Sequence, residues 1–201
     1  MEEPLRRRLL SGIERSFRES VEAKEELCRR SGHIILDMAE AVAESFRRGC
    51  RLFLFGNGGS AADAQHLAAE FVNRFALTRP PLPALALTVD SSVITSISND
   101  FRFEDVFLRQ LQALGRPGDV ALGISTSGRS PNVSTALAWA RENGLTTLGM
   151  GGGAPAEMDT HCDLLLHVPS RDTARIQECH ITAGHILCGL VEEILFGDAA
   201  V

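Results

Sequence analysis

The chain has no excess of positive charge, no long apolar run and no paired-cysteine motif, and each absence excludes a class of protein. Its 20 Lys and Arg residues are outnumbered by 26 Asp and Glu, giving a formal net charge of −6. General nucleic-acid binders are basic, so an anionic polymer is not the expected ligand; a small anion held by a few local donors still is. The apolar runs 52–55 and 164–166 fall far short of the ~20 residues that cross a bilayer. The opening Met-Glu-Glu-Pro-Leu-Arg-Arg-Arg leads into no apolar signal core. A cytoplasmic protein without membrane association is therefore expected. The five cysteines (Cys28, Cys50, Cys162, Cys179 and Cys188) are odd in number and include no C-x-x-C. Reduced, mostly buried thiols are expected rather than a disulfide framework or a thiolate zinc site. There is no internal repeat, low-complexity tract or interdomain linker.

What remains is ordinary globular composition, and 201 residues suit one compact α/β domain with an added element. Ile13, Phe17 and Val21 repeat every four positions, with Leu27 further along. Ser31-Gly32 interrupts this pattern, and Ile34, Ile35, Met38, Val42 and Phe46 resume it up to Gly49. This spacing predicts two long N-terminal helices, a hairpin over residues 1–50 that serves oligomerisation or caps a sheet. Beyond residue 50 short apolar strands (51–55, 84–89, 119–124, 145–150 and 163–168) alternate with helical stretches, the last at 173–196. Such alternation predicts a doubly wound, five-stranded parallel sheet flanked by helices over residues 51–201. Ligands of these sheets bind beyond the carboxyl ends of the strands.

Two strands end in loops suited to that role. Ser125-Thr126-Ser127-Gly128-Arg129-Ser130-Pro131 follows one strand and opens a helix, with Ser130 as N-cap and Pro131 in the first turn. The hydroxyls of Ser125, Thr126, Ser127 and Ser130, together with the free N–H groups of the helix start, make a phosphate-sized cradle that needs no lysine. The loop Gly56-Asn57-Gly58-Gly59-Ser60 allows close approach of a ligand, and Asn57 can bond sugar hydroxyls. Its spacing is neither a dinucleotide fingerprint nor a Walker loop. On the following helix His66 and Glu70 share a face at i and i+4, which suits two ligands of one metal or a base and its partner. On the last helix Gln177 and His185 lie about 80° apart around the axis and can reach one cleft, whereas His180 lies about 140° from His185 and points elsewhere. Two imidazoles, one carboxylate and one amide oxygen make a four-donor set for Zn²⁺ or a related ion. Asn99-Asp100, in a helix break, lines the cleft or forms a plain turn. Trp139 reads as packing.

Five strings, in order, resemble the phosphoheptose isomerases of the sugar-isomerase (SIS) domain family: Gly56-Asn57-Gly58-Gly59-Ser60, Gln65-His66-Leu67-Ala68-Ala69-Glu70, Ser98-Asn99-Asp100, Gly123-Ile124-Ser125-Thr126-Ser127-Gly128 and Ala174-Arg175-Ile176-Gln177-Glu178. The likeness runs over essentially the whole chain. It implies an SIS fold and interconversion of sedoheptulose 7-phosphate with D-glycero-D-manno-heptose 7-phosphate, in heptose supply for lipopolysaccharide or surface glycans. It implies sugar-phosphate contacts at Asn57, Gly58, Gly59, Glu70, Asn99, Asp100, Ser125, Thr126, Ser127, Ser130 and Gln177. One Zn²⁺ per subunit on His66, Glu70, Gln177 and His185, and an acid/base pair of Glu70 and His185, follow from the same likeness. So does a homotetramer with active sites at subunit interfaces. Some members carry an acidic residue three positions before the glutamine, where this chain has Ala174. The chain also resembles a tetrameric relative that binds the replication initiator protein, whose working surface would be an exposed tetramer face. A sugar-phosphate sensor is the third reading, one the histidine set argues against.

Overall fold

A computed structural model describes residues 2–197. Five strands form one all-parallel sheet in the order β2-β1-β3-β4-β5, with β1 Leu52–Gly56, β2 Ala84–Ala86, β3 Val120–Ser125, β4 Thr146–Gly151 and β5 Leu164–His167. Helices α2 (Gly59–Val72), α3 (Ser91–Asp100), α4 (Val106–Leu114), α5 (Pro131–Glu142) and α6 (Thr173–Phe196) make the crossovers and the close of the chain, behind a long α1 (Glu3–Arg47). Strand side chains alternate between two cores. Leu52, Leu54, Val120, Leu122, Ile124, Leu148, Met150 and Leu166 face α1, α2 and α6. Phe53, Phe55, Ala121 and Leu165 face α3, α4 and α5. Trp139 packs at the edge of this second core, as its pattern predicts.

The predicted N-terminal hairpin is a single helix. Ser31 and Gly32 lie inside α1, which runs unbroken for 45 residues. One glycine costs a helix only about 1 kcal/mol, and tertiary packing outweighs it. Leu27 and Ile35 fall on one face eight residues apart and are both buried with Met38, Ala39, Val42 and Phe46 in the core that the sheet shares. The second half of α1 is thus part of the α/β body rather than of a separate unit. Its first half carries Leu5, Leu9, Ile13, Phe17 and Val21, all exposed and four residues apart. The last helix, α6, is long and apolar enough to cross a membrane by length and composition. It packs instead between α1 and α2 as a core helix.

The strand order changes direction at β1, between β2 on one side and β3 on the other. Chains leaving the carboxyl ends of β1 and β3 go to opposite faces of the sheet, which opens a crevice there. Both loops singled out in the sequence sit at that crevice.

Gly32 has nothing within 4 Å of where a side-chain carbon would be. Gly32→Ala is therefore expected to raise stability by about 0.5–1 kcal/mol in urea unfolding. A fall in stability would show that the chain turns at Ser31-Gly32.

Candidate active site

The two crevice loops are tied together by their amides. Asn57 Nδ2 donates to Asn132 Oδ1 and Asn132 Nδ2 donates back to Asn57 Oδ1, each at 2.9 Å. Asn132 is buried in the first turn of α5. In the β3–α5 loop Ser125 Oγ lies 3.0 Å from Ser130 Oγ and accepts the Gly128 N–H at 3.1 Å. Ser130 is the N-cap residue of α5, but its hydroxyl turns to Ser125 and makes no capping bond, which leaves N–H groups of the first turn open to an anion. Gly128 has φ +65°, and a side-chain carbon on it would come within 2.6 Å of Ala156. Only glycine fits both constraints. A cavity of about 420 Å³ lies beside this loop, walled by Thr126, Ser127, Gly152, Gly153 and the start of α6, with Arg129 and Arg171 at its sides. Among the described residues neither guanidinium has a carboxylate partner.

The second cluster forms where α2 and α6 run together. Gly184 allows this approach: a side-chain carbon there would lie 2.6 Å from Leu67 Cδ1. His66 Nε2 meets His185 Nε2 at 2.8 Å, so one ring donates and the other accepts. Glu70 Oε1 lies 3.4 Å from the same His66 nitrogen. The Phe75 ring stacks on His185, with centroids 5.6 Å apart. Asp63, one turn before His66, faces both imidazoles; its Oδ2 is buried without a hydrogen-bond partner. Burial pushes its carboxyl above the ordinary range, and the two histidines pull it back.

Glu192 of α6 fixes this cluster. Its carboxylate accepts the N–H groups of Phe75, Ala76 and Leu77, each at 2.8 Å, and Arg79 Nε at 2.9 Å. Arg79 in turn donates to the carbonyls of Glu70 and Phe71 at the end of α2. Both side chains are 1% exposed. Burial alone would raise the Glu192 carboxyl; the three N–H donors and Arg79 outweigh it and hold it below the usual carboxylate range. The end of α2, the 73–79 segment and α6 are thus locked in one arrangement, and His66, Glu70, Phe75 and His185 stand on it.

A family model described as the SIS domain matches residues 16–152. A phosphoheptose isomerase from Nitratidesulfovibrio vulgaris is 54% identical over 178 residues, covering 89% of this chain and 86% of its own length. One from Clostridium acetobutylicum is 49% identical, over 92% and 96%. The solved phosphoheptose isomerase of Neisseria gonorrhoeae superposes with TM-score 0.87 at 39% identity, over 92% of this chain and 99% of that one. The chain belongs to the phosphoheptose isomerase family of SIS-domain proteins. The corresponding protein from Francisella tularensis, at 34% identity and TM-score 0.88, has the same fold.

Most of the predicted positions fall in two groups, the first at the crevice and the second further along α2 and α6. Ser125, Thr126, Ser127 and Ser130 form the β3–α5 loop, with Asn57 bridged to it and Gly58 and Gly59 opening α2. His66, Glu70 and His185 form the second group. The Gln177 amide packs on Gly59, about two turns of α6 before His185, and makes no side-chain hydrogen bond to these three among the described residues. Asn99 and Asp100 end α3, with an Asn99 Nδ2 to Asp100 Oδ1 bond at 2.8 Å, and make no hydrogen bond to either group among the described residues. His180 points away from His185, as its helical angle predicts, and meets the Gly151 carbonyl. Asp63 was missed, although three residues before His66 is helical spacing for a shared face. Arg79 and Glu192 lie 113 residues apart and carry no local signal. Two imidazoles and a carboxylate, with the partnerless Asp63 oxygen adding negative potential, suit a divalent ion by donor type. In the described residues they stand at hydrogen-bond spacing, and no group of three His, Cys, Asp or Glu is arranged to hold a metal.

Glu192→Gln leaves Arg79 buried with a weakened partner, and a loss of about 3–5 kcal/mol is expected from urea unfolding. Acid acts with the same sign. Folding lowers the Glu192 pKa, so its contribution is whole above the unfolded value of 4.5 and fades as pH falls through the lower folded one. A Glu192→Gln protein as stable as the wild type would show that the clamp is not needed.

Proposed function

We propose that this protein interconverts sedoheptulose 7-phosphate and D-glycero-D-manno-heptose 7-phosphate through an enediol, in heptose supply for lipopolysaccharide or surface glycans. The observation that carries the reading is the hydrogen-bonded His66–His185 pair with Glu70 beside it. Isomerisation moves a proton between C1 and C2, which needs a base over the carbon acid and a second group that exchanges protons with the substrate oxygens. Glu70, half-buried, takes the carbon-bound proton. The imidazole pair shares one proton across 2.8 Å and can give it to one oxygen while taking another back. His185 faces that proton and is the acid of the pair; Phe75 holds its ring.

The substrate phosphate goes to the Ser125–Ser130 loop at the α5 start, where Arg129 and Arg171 add charge-assisted donors. Along α6 the cavity-lining Thr173 and Ile176, then Gln177, then His185 span about 18 Å. A ligand with its phosphate at the cavity and its carbonyl toward the imidazoles lies along this helix. Asn57, Gly58, Gly59 and Gln177 lie between and meet the sugar hydroxyls. Asn99 and Asp100 are assigned to the substrate on the family likeness alone.

A divalent ion such as Zn²⁺ would be held by His66, Glu70, Gln177 and His185 in place of the proton the two imidazoles share, so the ion and the imidazole relay are alternatives at this site. When bound, it supplies Lewis-acid polarisation of the substrate carbonyl. The exposed stripe of Leu5, Leu9, Ile13, Phe17 and Val21 (Phe17 is 72% exposed) supports a homotetramer in which further copies cover it and approach the site. The setting is the cytoplasm. The initiator-binding and sensor readings have no observation of this structure in their favour.

Turnover of sedoheptulose 7-phosphate tests the reading. Wild-type protein is expected to form the aldose phosphate, and Glu70→Gln to lose at least about a hundredfold in kcat, the scale of a removed general base, while remaining folded. Absence of product from wild-type protein, metal-free and with Zn²⁺ restored, would overturn it.

A further inference from the structure

The mechanism leaves one buried imidazole without a task. His180 lies on α6, 1% exposed, facing the sheet rather than the His66–His185 pair. Its Nε2 meets the Gly151 carbonyl at 3.2 Å, and its Nδ1 is buried with no partner. A carbonyl only accepts, so Nε2 carries the proton and Nδ1 presents a dry lone pair. An apolar side chain would fill the space without that unsatisfied atom. The imidazole therefore earns its place through the single bond it makes.

That bond acts on the wall of the phosphate cavity. Gly151 ends β4 in register with Ser125, the last residue of β3. Gly152, next along, passes so near the Thr126 carbonyl that any side chain there would collide with it. The Gly152 carbonyl is held in turn by His167 Nδ1 at 2.7 Å, and the other nitrogen of His167 lies 3.3 Å from Asp159. Two imidazoles from different elements thus bond successive carbonyls of one glycine turn, the Gly151 oxygen also accepting the backbone Val168 N–H at 3.0 Å. Thr126, Ser127, Gly152 and Gly153 wall the same cavity. Movement of the 151–152 peptide would change its width directly.

We propose that His180 is a positioning residue for the sugar phosphate: its Nε2–H, as the second donor beside the Val168 N–H, fixes the Gly151 carbonyl, and through it the Gly152 wall against Thr126, at the width a phosphate monoester needs. His180 touches no substrate atom. This rests on the isomerase reading for the substrate, but the grip on phosphate can be measured without turnover.

The test compares His180→Leu, His180→Gln and His180→Asn. Glutamine places an amide N–H near the Nε2 position; asparagine reaches only as far as Nδ1. Expected for Leu and Asn is a KM for sedoheptulose 7-phosphate raised about tenfold, the scale of one lost hydrogen bond, with kcat within about twofold. Gln is expected to recover most of the KM. The dissociation constant of inorganic phosphate, by calorimetry, should move with the KM. Phosphate affinity unchanged in Leu or Asn, equal loss in Gln and Asn, or a fall in kcat alone would overturn the proposal. If Leu does not fold, the Gln and Asn pair decides. Absence of turnover in the wild type would sink the isomerase reading and leave the phosphate comparison to judge His180.

Discussion

Glu192 receives three backbone N–H groups and one guanidinium in a space closed to water. Two opposite charges taken out of water are favourable only when the remaining donors and acceptors are also met, and here they are. Arg79 spends its donors on carbonyls at the end of α2 and in the loop after it. An irregular segment thereby becomes a rigid joint between α2 and α6. His66, Glu70, Phe75 and His185 all lie within a few turns of it, so the proposed proton-transfer geometry rests on this buried pair.

The end proposed to take the phosphate is built on different principles. No lysine reaches it, and the chain is acidic overall. It uses hydroxyls, the uncapped start of α5 and two arginines without carboxylate partners among the described residues. The walls are set by glycines placed against neighbouring backbone, and by the Asn57–Asn132 amide pair that joins the loops of β1 and β3. Rigid carbonyl and amide contacts hold this end, while helix packing and a buried ion pair hold the other. A ligand bound between them is aligned by the sheet and by α6, which contributes to both.

Much of this was legible in the sequence because it is local. Strand alternation, the Gly and Ser loops, and the i, i+4 spacing of His66 and Glu70 each show within a short window, and the order of the loops placed them at one crevice. The length of α1 is not local in this sense: Ser31-Gly32 has the pattern of a break, and only burial of Leu27 and Ile35 on one face overrides it. The partners that matter across long separations were hidden. Nothing near Arg79 announces Glu192, and nothing near Asn57 announces Asn132. Gln177 shares a helix face with His185, and its close approach to Gly59 on α2 is likewise a contact that sequence spacing does not carry.

The dependence of chemistry on the buried joint can be measured with Arg79→Lys at a temperature where the variant is fully folded. Lysine keeps the charge beside Glu192 but lacks the planar fork that reaches several carbonyls at once. The account predicts kcat for sedoheptulose 7-phosphate down by at least about tenfold, because small displacements of reacting groups are costly, with KM close to that of the wild type since the phosphate cradle stands on β3 and α5. A folded Arg79→Lys protein with wild-type kcat would contradict it.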